Sequence, residues 1–254
     1  MDNSLLKDMR GRTLILSINV PERHNSVSPA LRGLLYEALV QADEDPQVRS
    51  VVLTGAGGVF CAGGDITDMS VSDLSSGRAR MRRSHRLIRQ MLCMGKPVIC
   101  AVEGWAAGAG LSLAMACDSV VSSDRARFAA SFGQVGLMAD MGLLFTLPQR
   151  VGIGRAKQII FYGEKWNAVD AERLGLVDQL VAEGQALEVA LGRAQVLERQ
   201  APLPLALSKA VLARGLDALL DRECELQSQL FLSADHAEGK AAFIDKRPAQ
   251  FKGA

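Results

Sequence analysis

Thr54-Gly-Ala-Gly-Gly-Val-Phe-Cys-Ala-Gly-Gly-Asp-Ile66 and Glu103-Gly-Trp-Ala-Ala-Gly-Ala-Gly-Leu-Ser-Leu-Ala-Met-Ala-Cys-Asp118 are two glycine-rich stretches about 45 residues apart. Each follows a short β-branched run, Val48–Leu53 and Pro97–Val102, that reads as a buried strand, and each runs on into a helical pattern. Small residues at a strand-to-helix junction let a ligand approach the backbone and leave main-chain N–H groups free to donate. Two such junctions side by side can aim two donors at one developing oxyanion, an arrangement that suits acyl-thioester chemistry.

The rest of the chain is compatible with an ordinary soluble enzyme. It has 254 residues, 48% of them hydrophobic, and a formal net charge of +1. That is enough to build a full core, and it supplies no global field for nucleic acid or an acidic partner. Cys61, Cys93, Cys100, Cys117 and Cys224 are odd in number, lack CxxC spacing and sit mostly in apolar runs. They read as reduced thiols, which fits a cytoplasmic location. No apolar run reaches the ~18–20 residues of a membrane span, and the chain moves directly into a strand-like Thr13–Asn19 rather than a signal sequence.

Strand and helix signals alternate through the first 183 residues. Ser28-Pro29 offers an N-cap and a first-turn proline for a helix whose apolar face carries Leu31, Leu34, Leu35, Ala38, Leu39 and Ala42. A basic helix is predicted over 79–94, another over 108–116, and strands at 119–122 and 177–181. This βαβ-type pattern predicts an α/β body with mostly parallel strands. From residue 184 to 254 strand signals stop, and helical periodicity covers 186–199, 205–220 and 222–232. That region is expected to pack on the body or on a neighbouring subunit.

Several motifs fail. Gly55-Ala-Gly57 has Phe60 where a dinucleotide-binding loop needs glycine, and neither loop ends as a P-loop does. Gly110-Leu-Ser112-Leu-Ala114 falls one residue short of a nucleophile elbow. His24, His85 and His236 have no cysteine or carboxylate at metal-ligand spacing, so no metal is expected. Arg78, Arg80, Arg82, Arg83, Arg86 and Arg89 read as a solvated basic face, without the interleaved aromatics of a nucleic-acid binder.

Taken together, the blocks resemble the crotonase, or enoyl-CoA hydratase/isomerase, superfamily over nearly the whole chain. They are Pro21–Ser26, Phe60–Ile66, Lys96–Gly110, Leu147–Ala156, Ala171–Val177 and Phe243–Phe251. The resemblance implies a ββα spiral core over 1–183, a C-terminal helical oligomerisation region over 184–254, and a homotrimer or homohexamer. It places the two oxyanion donors on the backbone amides of Gly64 and Ala109. Loss of one such donor costs about 2.7–4 kcal/mol of barrier. It also implies coenzyme A recognition along Ala62–Ile66, Asp65 included, with Arg23 near the first strand. Phe243 and Lys246 follow, which in relatives often reach the nucleotide of a neighbouring subunit. No cofactor is implied, coenzyme A being part of the substrate.

Departures from the family pattern direct the chemistry. Ser112 and Phe132 stand where family hydratases carry their two glutamates, and neither can serve as acid or base. Asp140, in Gly136-Leu-Met-Ala-Asp-Met-Gly142, occupies the slot of the lone catalytic aspartate of one isomerase branch. The expectation is a Δ3-Δ2 enoyl-CoA isomerase in which Asp140 moves a proton from C2 to C4. Apolar neighbours Phe132, Leu137, Met138, Met141 and Leu143 should raise its pKa. Read structurally, Asp140 is instead a helix cap, which would lower it. A hydratase with an unrecognised second acid is the alternative. An aryl-CoA dehalogenase would need a histidine where Arg89 stands, with His85 one turn away, and a non-catalytic acyl-CoA or RNA binder would rest on the basic helix.

Overall fold

The computed structural model describes residues 3–254. In chain order the strands are β1 (Leu5–Arg10), β2 (Thr13–Ile18), β3 (Ser50–Gly55), β4 (Val98–Val102), β5 (Trp105–Ala107), β6 (Ser119–Ser123), β7 (Arg127–Ala129), β8 (Lys165–Asn167) and β9 (Gln179–Val181). The helices are α1 (Pro29–Glu44), α2 (Leu74–Cys93), α3 (Ala109–Met115), α4 (Leu143–Tyr162) and α5 (Ala168–Leu174). They continue as α6 (Ala186–Glu198), α7 (Pro202–Leu212), α8 (Leu216–Leu230) and α9 (Ala234–Ile244).

Six strands form one sheet in the order β1-β2-β3-β4-β6-β9, parallel except for the β1–β2 hairpin. A second sheet, β5-β7-β8, pairs β5 and β7 in parallel and β7 and β8 antiparallel. This is the α/β body with mostly parallel strands that the alternating signals predicted. The uninterrupted apolar runs of β3 and β4 are buried, as parallel strands covered on both faces must be. One face packs under α1, α2 and α3. On the other, Ala186, Ala190, Leu191 and Ala194 of α6 lie against Ile15, Val52, Ile99 and Val121. The first helix after residue 184 is therefore a layer of the body itself.

Local chemistry sets the helix ends. Ser28 caps α1 by accepting from Leu31 N–H at 3.2 Å. Helix α2 begins at Leu74, earlier than its apolar periodicity suggests, because Asp73 and Ser76 form a reciprocal capping box. The arginines of α2 are only partly a solvated face. Arg78 pairs with Glu225 at 2.6 Å and Arg89 with Asp217 at 2.7 Å, both on α8. Arg86 lies 4.4 Å over the Tyr36 ring, and Arg80 is buried. The helix is thus a docking rail for α8. Among the described residues, no helix is long and apolar enough to cross a membrane.

Candidate active site

The two glycine loops lie against each other. Cys61 N–H donates to Trp105 O at 2.8 Å and Ala107 N–H to Cys61 O at 3.0 Å. The approach is so close that a Cβ on Gly110 would stand 2.1 Å from the Cys61 carbonyl oxygen. Gly108 caps α3 at φ 49, ψ −120, a conformation that favours glycine. Neighbouring amides are committed: Ala62 to His24 O, Val27 to Gly63 O and Gly108 to Ala129 O. Among the described residues no acceptor meets the amides of Gly64 or Ala109. The two positions are adjacent, since a Cβ on Gly64 would lie 4.0 Å from that of Ala109.

Both amide positions line a cavity of about 100 Å³, and Asp140 lines the same cavity. Of the cavity-lining residues, Asp140 is the only carboxylate; its neighbours include Arg32, Arg80, Ser84, Phe132, Leu137 and Phe231. Asp140 does not cap α4, whose N-cap is Gly142 without a side-chain bond. Instead Asp140 Oδ2 accepts from Gln227 Nε2 at 3.0 Å, and its backbone carbonyl accepts from Ser112 Oγ at 2.8 Å. Ser112, expected at the position of a family glutamate, thus holds the backbone of Asp140. Met141, next in the chain, sits at φ 53, the left-handed region that costs a non-glycine residue energy.

Two residues one turn apart on α8 hold this strained segment. The Gln227 side-chain amide bonds Met138 in both directions, accepting from its N–H at 3.2 Å and donating to its carbonyl at 3.1 Å. Glu223 accepts from Gly142 N–H at 3.1 Å and bonds His85 Nε2 at 2.8 Å. Burial holds the Asp140 carboxyl above the ordinary aspartate range. The Arg32 charge, the Gln227 hydrogen bond, and the Arg80 and His85 charges oppose that rise. Glu223 is likewise held high, first by burial and also by the nearby Asp140 charge.

Of the expected coenzyme A residues, Ala62, Ile66 and Phe243 line the cavity. Arg23 and Asp65 lie beside it, joined by an ion pair of 2.8 Å, with Asp65 also accepting from Thr67. Phe243 belongs to the same chain's cavity, because α9 packs on the turn at 131–135; Gly239 lies close enough that a Cβ would stand 2.6 Å from Val135 C. Lys246, at φ 54 just past α9, is exposed and does not line the cavity. Met141 and Leu143, expected in the wall around Asp140, are buried in the main core instead.

The histidine of the dehalogenase alternative has no counterpart here. Arg89 faces Asp217 at the surface, and His85 is turned to Glu223. Sequence reasoning missed Arg32, Glu223, Gln227 and the buried state of Arg80. The one available signal was polar residues on the buried stripes of α1 and α8, as where Glu223 and Gln227 share a face with Leu220 and Cys224.

Residues 11–254 match the family described as enoyl-CoA hydratase/isomerase. The chain is 35% identical to the 1,2-epoxyphenylacetyl-CoA isomerase of Escherichia coli, over 98% of each chain. It is also 35% identical to a probable enoyl-CoA hydratase of Rhodobacter capsulatus, over 94% of each. Its fold superimposes on the crystal structure of carnitinyl-CoA hydratase from Mycobacterium avium with a TM-score of 0.89, at 29% identity and full coverage of both chains.

Proposed function

The chain belongs to the enoyl-CoA hydratase/isomerase family and is an acyl-CoA-processing enzyme; from that premise we propose that it shifts a double bond from C3 to C2 of an enoyl-CoA thioester. The observation that carries this reading is a cavity with two uncommitted amides and, among its lining residues, a single carboxylate. Asp140 takes a proton from C2 of the 3-enoyl thioester. The electron pair moves into the thioester carbonyl, and the dienolate oxygen is met by the Gly64 and Ala109 amides, the latter at the N-terminus of α3. Asp140 then returns the proton at C4, leaving the conjugated 2-enoyl product.

The environment suits a reversible proton carrier. A carboxyl held above its ordinary range is a stronger base once ionised and a weaker acid once protonated, and a pKa moved toward the operating pH balances the two transfers. Hydration asks for more, because water must be activated on one side while a second group protonates C2. Glu223 is another buried carboxylate that feels the Asp140 charge, but it faces His85 and the Gly142 amide and does not line the cavity. Coenzyme A enters as part of the substrate, with Ala62, Ile66 and Phe243 along its path and Arg23, paired to Asp65, available to its phosphates. Lys246 serves that role only from another subunit.

A second copy of the chain is the expected partner. Helix α7 presents Leu203, Leu207, Val211 and Leu212 to solvent, at 62–73% exposure, beside a cleft of about 960 Å³ that reaches α4 and α6. An apolar surface of this kind supports assembly into a trimer or hexamer.

Asp140→Asn provides the test. The substitution keeps the shape of the site and removes the proton carrier, so turnover of 3-enoyl-CoA should fall about 10²–10⁴-fold while acyl-CoA binding persists. The product should be the 2-enoyl thioester. Formation of 3-hydroxyacyl-CoA from 2-enoyl-CoA at comparable rates would favour the hydratase reading instead.

A further inference from the structure

Two guanidinium groups that the proton shift does not require are buried in the wall of the candidate site. Arg32 on α1 and Arg80 on α2 are each 7% exposed, and both line the cavity that holds Asp140. Their hydrogen bonds go to neutral acceptors. Arg32 donates to Ser84 Oγ at 2.9 Å and Val27 O at 3.2 Å; Arg80 donates to Asp68 O at 2.9 Å. These three bonds leave most of their N–H donors without an acceptor, and Arg32 Nε is buried with no partner at all. The Phe231 ring stands 5.7 Å from the Arg80 guanidinium carbon.

The charge balance is also incomplete. Neither arginine forms an ion pair among the described residues. The carboxylates that act on them through space are chiefly Asp140 and Asp68. Asp68 is exposed, so solvent screens it, and Asp65 is already paired with Arg23. Asp140 can offset one buried cation and leaves the other. The two guanidinium groups also repel each other, and burial with that repulsion brings the Arg32 pKa down to about 10. Burying a cation without a counter-ion is costly, and bonds to a hydroxyl and to carbonyls could be made by a neutral amide.

We infer that this site takes a thioester whose acyl group itself carries a carboxylate, received by Arg80 and by Arg32, whose Nη2 lies 3.5 Å from where a Cβ on Gly64 would stand. The inference rests on the reading of the cavity as an acyl-CoA site and names the substrate class within it. A neutral oxygen on the acyl chain would satisfy donors but not the surplus charge. A plain hydrocarbon chain would satisfy neither.

The test uses matched thioesters of one chain length on the whole protein. The six-carbon 3-enoyl-CoA with a terminal carboxylate is compared with its terminal methyl ester, a neutral molecule of similar shape. The acid should be turned over with kcat/KM about 10- to 100-fold higher, the range expected for hydrogen bonds to a charged partner. Arg80→Met should abolish the acid-to-ester ratio, whatever its effect on absolute rate. Equal kcat/KM for acid and ester in the unsubstituted protein, or a ratio that Arg80→Met leaves intact, overturns the inference. Calorimetric binding of saturated adipoyl-CoA and its methyl ester separates this result from failure of the isomerase reading, because it needs no turnover. Tighter binding of the acid sustains the anion subsite even if no double bond moves; equal binding, or none, sinks it.

Discussion

Asp140 holds its proton more tightly in this fold than a free aspartate does, because burial penalises its charged form more than Arg32, Gln227 and Arg80 favour it. For a carboxyl whose folded pKa is raised, the folded state binds more protons than the unfolded one between the two values. Stability therefore falls as pH rises from the ordinary aspartate value, about 3.9, through the raised one. Asp140→Asn removes that cost while keeping the shape. The variant should melt at a higher temperature than the parent at pH 7, by roughly 2–4 °C per kcal/mol recovered, with the gap closing below about pH 4. Thermal denaturation at the two pH values checks this, and a lower Tm at pH 7 would count against a strained functional carboxyl. At this scale the sequence was partly legible. Asp140, Gly64 and Ala109 were singled out through the resemblance, and one cavity is lined by all three. Arg32 was hidden because it shares a helical face with Leu31 and Leu35, where periodicity reads only core.

Helix α8 is the element that fixes the site from behind. Its Gln227 binds both the Asp140 carboxylate and the Met138 backbone, while Glu223 holds the Gly142 amide, so the loop at 138–142 is gripped on either side of the strained Met141. The Gln227 bond lowers the Asp140 pKa. Gln227→Leu should therefore shift the acidic limb of the kcat/KM profile to higher pH, as well as reduce kcat by about tenfold or more through misplacement. A purely structural role would lower the whole profile without moving its limb. Helical periodicity was readable here, but the expected segments 205–220 and 222–232 misplace the break, since α7 ends at Leu212 and α8 runs unbroken from Leu216 to Leu230 behind Gly215. The docking of α8 on α2 was not readable, because the arginines and acids that join the two helices carry no mark of their partners in the chain. The short strands β5, β7 and β8 escaped for a related reason: three residues each are too few to show a period.

Across the whole molecule, the parallel sheet and the glycine loops followed from strand-like runs and small residues, whereas the layering of the last 71 residues did not. Alanines 186, 190 and 194 give α6 a smooth face that lies flat on the sheet, and no apolar count distinguishes that face from a helix packed elsewhere. Helix α7 is different, since Leu203, Leu207, Val211 and Leu212 stand exposed along it. Light scattering should give a mass three or six times that of the 27.2 kDa chain. Leu207→Lys combined with Val211→Lys should lower that mass by burying charge in the contact. A monodisperse single-chain mass for the unsubstituted protein would contradict assembly through this face.

The account turns on a proton leaving C2 of a thioester for Asp140 while paired amides hold the oxygen. Incubation of a 3-enoyl-CoA in D2O, followed by mass spectrometry of the thioester, reads that step directly. The unsubstituted protein should yield 2-enoyl-CoA, labelled in the acyl group only where the Asp140 carboxyl exchanges its proton with solvent before returning it, and Asp140→Asn should yield neither the shift nor the label. Label and shift at undiminished rates in Asp140→Asn would show that another group moves the proton.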